Sequence, residues 1–192
     1  MSNSHNLSFG LIINKSGSKF YEIKNANAIK EFTGPDVALI FAEYSSISYQ
    51  FENAIYSESF SLGKGIMLKE ELKKNWELHN ETKMIDGYLC YKATNVKKVE
   101  NEIKVFNHPV IAWYCPKLPY NYGPNGYSNL PGLILELQVR NVVYGAKKID
   151  LNSDLDFDPA FLKTIKTISE EQLNKKLQEE FDDLGRSLNL KE

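Results

Sequence analysis

Histidine, cysteine and long apolar runs are all scarce in this 192-residue chain, and each scarcity closes off a class of function. The 3 histidines, His5, His79 and His108, stand far apart and match no metal-ligand spacing, so no metal site is expected. The 2 cysteines, Cys90 and Cys115, are too few for a disulfide framework. In an oxidising compartment they allow one bridge; reduced, they are two small apolar residues packed in strands. No apolar run reaches the ~18 residues that a membrane-crossing helix needs. The longest, Val37 to Ala42 and Val110 to Cys115, have the length of buried strands. Neither sign of charge is in excess, with 23 Lys and Arg against 25 Asp and Glu. Basic residues are scattered between acids, which argues against a general nucleic-acid binder with a basic face. The first residues, Met1-Ser2-Asn3-Ser4-His5-Asn6, show no basic region leading into an apolar core. Taken alone, they read as cytosolic or already processed.

Catalytic signatures are missing too. There is no Gly-x-Ser-x-Gly elbow and no phosphate-cradling Gly-x-x-x-x-Gly-Lys-Ser/Thr loop. Asp154-Leu155-Asp156-Phe157-Asp158 begins like a calcium loop, but Pro159 and Ile165 stand where Gly and Glu are required. Cys90 lies between Leu89 and Tyr91, an apolar setting that raises a thiol pKa rather than activating it. The expectation is a protein that is not an enzyme and uses no cofactor. A cysteine-dependent enzyme built on Cys90, Cys115 and His108 stands third among the readings.

What the chain does have is aromatic residues, at 12%, and alternation. Leu7, Phe9, Leu11 and Ile13 alternate, Asn14-Lys15-Ser16-Gly17 turns, and Phe20, Tyr21 and Ile23 return, which predicts a hairpin over 7–23. Val37 to Tyr44 and Ser46 to Ile55 read as two further strands. The charged run Lys69 to Lys74 reads as a solvated edge strand or short helix. Trp76 to Thr82, Tyr88 to Val96, Ile103 to Cys115 and Leu133 to Val143 then form an antiparallel meander. In the last of these, Leu133, Leu135, Leu137 and Val139 share a dry face, and Ile134, Glu136, Gln138 and Arg140 a wetter one. Glu136 is placed to pair with a lysine on a neighbouring strand. Asp158-Pro159 opens a short helix. A longer one over about 169–185 starts at a capping box, Ser169 with Gln172, and carries Leu173, Leu177, Phe181 and Leu184 as a stripe. The fold class is therefore mainly β (α+β), with residues 1–192 as one domain.

The segment from Tyr114 to Gly132 concentrates Pro, Gly and Tyr. Its prolines restrict the unfolded chain, and ordered loops on a scaffold often carry function. Tyr120, Tyr122 and Tyr127, backed by Trp113 and Tyr114, form the candidate ligand-binding set, suited to a hydrophobic ligand or peptide. The competing account is a structural crossover whose tyrosines cap one end of the sheet.

Three stretches together resemble the GLPGLI family: Trp76 with Ile85-Asp86-Gly87-Tyr88-Leu89-Cys90-Tyr91-Lys92-Ala93-Thr94; Ala112-Trp113-Tyr114 with Leu118-Pro119, Gly123-Pro124 and Gly126; and Leu130-Pro131-Gly132-Leu133-Ile134-Leu135-Glu136. The resemblance covers roughly 70–145. Asn129 stands where the family usually has its first Gly, and Asn is the non-Gly residue that best tolerates a left-handed backbone. Within the signature, Leu130, Pro131, Gly132, Leu133 and Ile134 are structural: Pro131 fixes the entry to the strand and Gly132 lets another element approach. The family has no assigned activity, so the resemblance supplies no active-site residues. It implies an exported protein of the diderm bacterial envelope, periplasmic or outer-membrane associated. It also implies a curved sheet like that of periplasmic lipoprotein carriers, an analogy of fold alone. The leading expectation is an envelope binding or carrier protein. Its rival is an interaction module docking on an outer-membrane partner through an edge strand or the C-terminal helix.

Overall fold

A computed structural model describes residues 7–24, 39, 44, 46–58, 65–72, 75–100 and 104–189. Among the described residues the chain is mostly β and forms two sheets with one C-terminal helix. The first sheet contains β1 (Phe9–Asn14), β2 (Gly17–Glu22), β3 (Ser48–Phe51), β4 (Ala54–Ser57), β5 (Ile66–Glu71) and β11 (Lys166–Ile168), in that spatial order. The second is a pure meander of β6 (Glu77–Ile85), β7 (Tyr88–Glu100), β8 (Val105–Cys115), β9 (Leu133–Val139) and β10 (Val142–Gly145). Neighbours are antiparallel except β5 and β11, which run parallel.

The expected hairpin at the start is present. Asn14 closes it by accepting from the N–H groups of Ser16 and Gly17, the usual service of an Asn side chain in a turn. Two expected strands are instead hairpins. Ser46 to Ile55 breaks at Glu52 (φ 55) into β3 and β4, and Leu133 to Val143 breaks at Arg140 (φ 55) into β9 and β10. Both turns place a long polar residue in the left-handed region, with no Gly or Pro to mark them. Of the charged run, Lys69 to Glu71 form the end of β5, paired with β4 on one side and lying beyond the stretch Ile66 to Leu68 that pairs with β11, so they sit at a local edge, while Lys73 and Lys74 fall outside the described residues. Of the expected strand Val37 to Tyr44, only Leu39 and Tyr44 fall among the described residues, and Leu39 is helical.

The faces of β9 also depart from strict alternation. Trp113 pairs with Glu136 but Tyr114 with Ile134, so Leu135 is an extra residue, a β-bulge. The bulge reverses the alternation. Ile134 joins Leu137 and Val139 in the core between the sheets, while Leu133 and Leu135 pack on the opposite face with Cys90, Cys115 and Leu118.

The core between the sheets draws Phe20 from β2, Val110, Ala112 and Tyr114 from β8, and Tyr144 from β10. At one end, the rings of Phe9, Phe20, Tyr44 and Tyr144 lie 5.0 to 5.9 Å apart in tilted, stacked and edge-on contacts. The outer face of the first sheet buries Tyr49, Phe51, Tyr56 and Met67 under Leu162, Phe157 and Ile165. The helix α1 (Glu170–Asn189) starts at the capping box: Gln172 N–H donates to Ser169 Oγ at 3.2 Å and Ser169 N–H to Gln172 Oε1 at 3.0 Å. Just before it, Asp158 accepts from Ala160 N–H at 2.8 Å and opens the short turn Ala160–Lys163.

Candidate functional site

Two features of the second sheet stand out from packing alone: the loop between β8 and β9, and the far end of the β7–β8 hairpin.

The loop is tied down along its length. Leu133 N–H donates to Leu118 O at 2.9 Å, Ile134 N–H to Tyr122 O at 3.0 Å, and Asn129 N–H to Asn121 O at 3.0 Å. Asn129 adopts φ 66, the left-handed conformation its position demands. Gly132, at φ 151, has no space for a side chain: a Cβ there would lie 2.2 Å from the carbonyl oxygen of Cys115. The signature residues thus set how tightly the loop turns back onto the end of β8.

The aromatic residues singled out in the sequence do not converge on one surface. Trp113 and Tyr114, adjacent on a strand, point to opposite faces. Tyr114 is buried between the sheets, while half-buried Trp113 lies under Lys83, whose Nζ is 4.5 Å from its ring centre and 2.6 Å from Glu136 Oε1. The lysine that pairs with Glu136 therefore comes from β6, across the breadth of β7 and β8. Tyr122 packs with Cys115 and Leu118, where burial raises its phenol pKa. Tyr127 is buried between the sheets beside Trp76, 6.2 Å between ring centres, and Trp76 Nε1 donates to Ser128 O at 2.7 Å. Only Tyr120 is substantially exposed. The loop passes round the end of the sheet from one face to the other, and its tyrosines fill both. An open groove of roughly 380 Å³ lies elsewhere, lined by Glu52, Asn53, Ala54, Tyr56, Lys69, Glu70 and Glu71.

Cys90 and Cys115 are free thiols, both fully buried. Desolvation pushes the Cys90 thiol up to about 11, with Cys115 alongside adding to the rise. His79 shares a 2.7 Å hydrogen bond with Thr94, and His108 stacks on Phe106. His108 is seven residues along β8 from Cys115, roughly 23 Å at strand spacing. Among the described residues no cluster of His, Cys, Asp or Glu is arranged to hold a metal.

The feature that sequence reasoning missed is the β7–β8 arm. The β6–β7 ladder ends at Glu77 with Thr94, and the β8–β9 ladder begins at Val110 with Val139. Between those limits, β7 and β8 pair onward with each other from Asn95–Val110 to Glu100–Val105. This two-stranded ribbon exposes Val96, Val99, Val105 and Phe106. Val99 and Phe106 are cross-strand partners on one face, Val96 and Val105 point to the other, and Lys97, Lys98 and Lys104 stand among them in the sequence. Its signal in the sequence was the length of the two strands, which exceeds that of the strands on either side.

A family model described as "Protein of unknown function (Porph_ging)" matches residues 100–136. The matched segment runs from the end of β7 through β8 and the loop into β9. No curated protein and no solved structure matches the chain.

Proposed function

We propose that this is a non-catalytic interaction module of the bacterial envelope that engages a second envelope protein through the β7–β8 arm. The observation that carries the reading is the exposed cross-strand pair Val99 and Phe106 on one face of a ribbon that extends past both neighbouring strands, with Val96 and Val105 exposed on the other face. Exposed apolar side chains gathered on a projecting element are the usual material of a binding hot spot. The resemblance to GLPGLI proteins supports export to the periplasm or outer membrane, and the matched family segment includes the second strand of the arm. This reading takes the docking alternative over the carrier, because the loop tyrosines are divided between two packed faces instead of opening on one mouth.

The test is the pair of substitutions Val99→Ser and Phe106→Ser in the full chain, read by native mass spectrometry of protein extracted from its own cells. A complex with a second polypeptide is expected for the natural chain. The double variant should lose it by at least ~30-fold in affinity, since the two side chains together bury about 2 kcal/mol of apolar surface. An unchanged complex contradicts the arm as the site. A discrete small-molecule mass in place of a polypeptide contradicts the module and restores the carrier.

A further inference from the structure

The chain contains only 2 cysteines, and the fold sets them against each other. The β7–β8 ladder ends at Tyr91 opposite Tyr114, and continuing its register by one residue sets Cys90 opposite Cys115, in keeping with their packing in one buried cluster. The Cys90 thiol donates to Tyr88 O at 3.6 Å, and Cys115 lies near enough beside it to help raise its pKa. Opposed residues on antiparallel strands have Cα atoms about 4.5–5.5 Å apart, inside the ~4.4–6.8 Å range that a disulfide spans. We infer that Cys90 and Cys115 are a cross-strand disulfide site, closed by oxidation while the chain folds.

The timing follows from burial. Both residues are 0% exposed in the folded protein, packed among Leu118, Leu133 and Leu135. An oxidant cannot reach them there, and a native thiol whose pKa is about 11 is almost wholly protonated and unreactive at neutral pH. In the unfolded chain both are ordinary accessible thiols. One, as thiolate, attacks a small-molecule or protein disulfide, giving a mixed disulfide and releasing one thiol. The other thiolate then displaces the second thiol and forms the Cys90–Cys115 bond. Overall two thiols lose two electrons and two protons, and the oxidant is reduced to two thiols. The closed bridge is then sealed in the core, out of reach of reductants. The proposal rests on the export reading only for where the oxidant is met.

The experiment refolds the full chain from denaturant in a mixture of oxidised and reduced glutathione, then denatures and alkylates it. The expected product is a chain about two mass units lighter, without alkyl adducts, whose digest yields one peptide pair joined at Cys90 and Cys115. It should melt about 5–10 °C above the reduced chain, because the bridge constrains the unfolded state. The Cys90→Ala/Cys115→Ala variant should gain nothing from the oxidant. A chain that refolds with both thiols open to alkylation, or capped by glutathione, or that melts lower when bridged, overturns the assignment. Alkylating the chain immediately on recovery from its own cells reads the compartment separately. A fully reduced chain there that still bridges on refolding counts against export and leaves the disulfide site standing.

Discussion

At the scale of single residues, the signature is a matter of space and backbone hand. Gly132→Ala drives a Cβ into the Cys115 carbonyl at a φ of 151, so it should cost about 3 kcal/mol or more and lower Tm by roughly 6–12 °C. Thermal unfolding followed by circular dichroism checks this, and an unchanged Tm contradicts it. Asn129→Gly should stay within about 1 kcal/mol of the natural chain, because Gly adopts the same left-handed backbone. Both roles were legible in the sequence, since Gly and Asn each advertise the conformation they permit. Glu52 and Arg140 adopt the same backbone region without advertising it, so their two turns were not legible. The buried thiol carries a pH signature in the reduced protein. Its pKa is raised from 9.0 to about 11, so the folded state holds the proton more tightly than the unfolded one. The stability this gives is fully present below pH 9 and is lost as pH rises through about 11. Across that window reduced natural protein should lose stability more steeply than Cys90→Ala, measured by urea unfolding at a series of pH values. Parallel curves would count against a buried thiol.

At the scale of elements, local signals succeeded where a side chain closes its own turn. Asn14 at the first hairpin and the Ser169–Gln172 box at the helix start act within three residues, so spacing alone exposes them. Ser169→Ala should cost about 1 kcal/mol of helix stability. Amide exchange at Leu173, in the first turn, should quicken about five-fold, and unchanged exchange would mean the box does not hold that turn. The bulge at Leu135 was not legible, because it exists only as a mismatch of register between β8 and β9. Leu133 to Val139 alternates cleanly as written. Only the partner strand shows that Ile134 belongs to the same core as Leu137 and that Leu133 belongs to the other face.

At the scale of the whole molecule, the meander of the second sheet was legible because its long strands carry alternation past the length of a turn. Most of the first sheet was not, since β3, β4 and β11 are too short for a period to establish itself. The same contrast governs the candidate site. The loop tyrosines drew notice through composition, and packing then divided them between two faces. The arm was hidden because Lys97 and Lys98 interrupt its valines, and its projection depends on where β6 and β9 stop. The central claim is that this arm is the surface on which a partner docks. The most direct measurement is photo-crosslinking in the protein's own cells, with a photoreactive residue at Phe106 on the arm or at Tyr120, the exposed tyrosine of the loop. The account predicts one adduct of discrete polypeptide mass from position 106 and none from 120. Crosslinking from 120 alone, or none from 106, would contradict it.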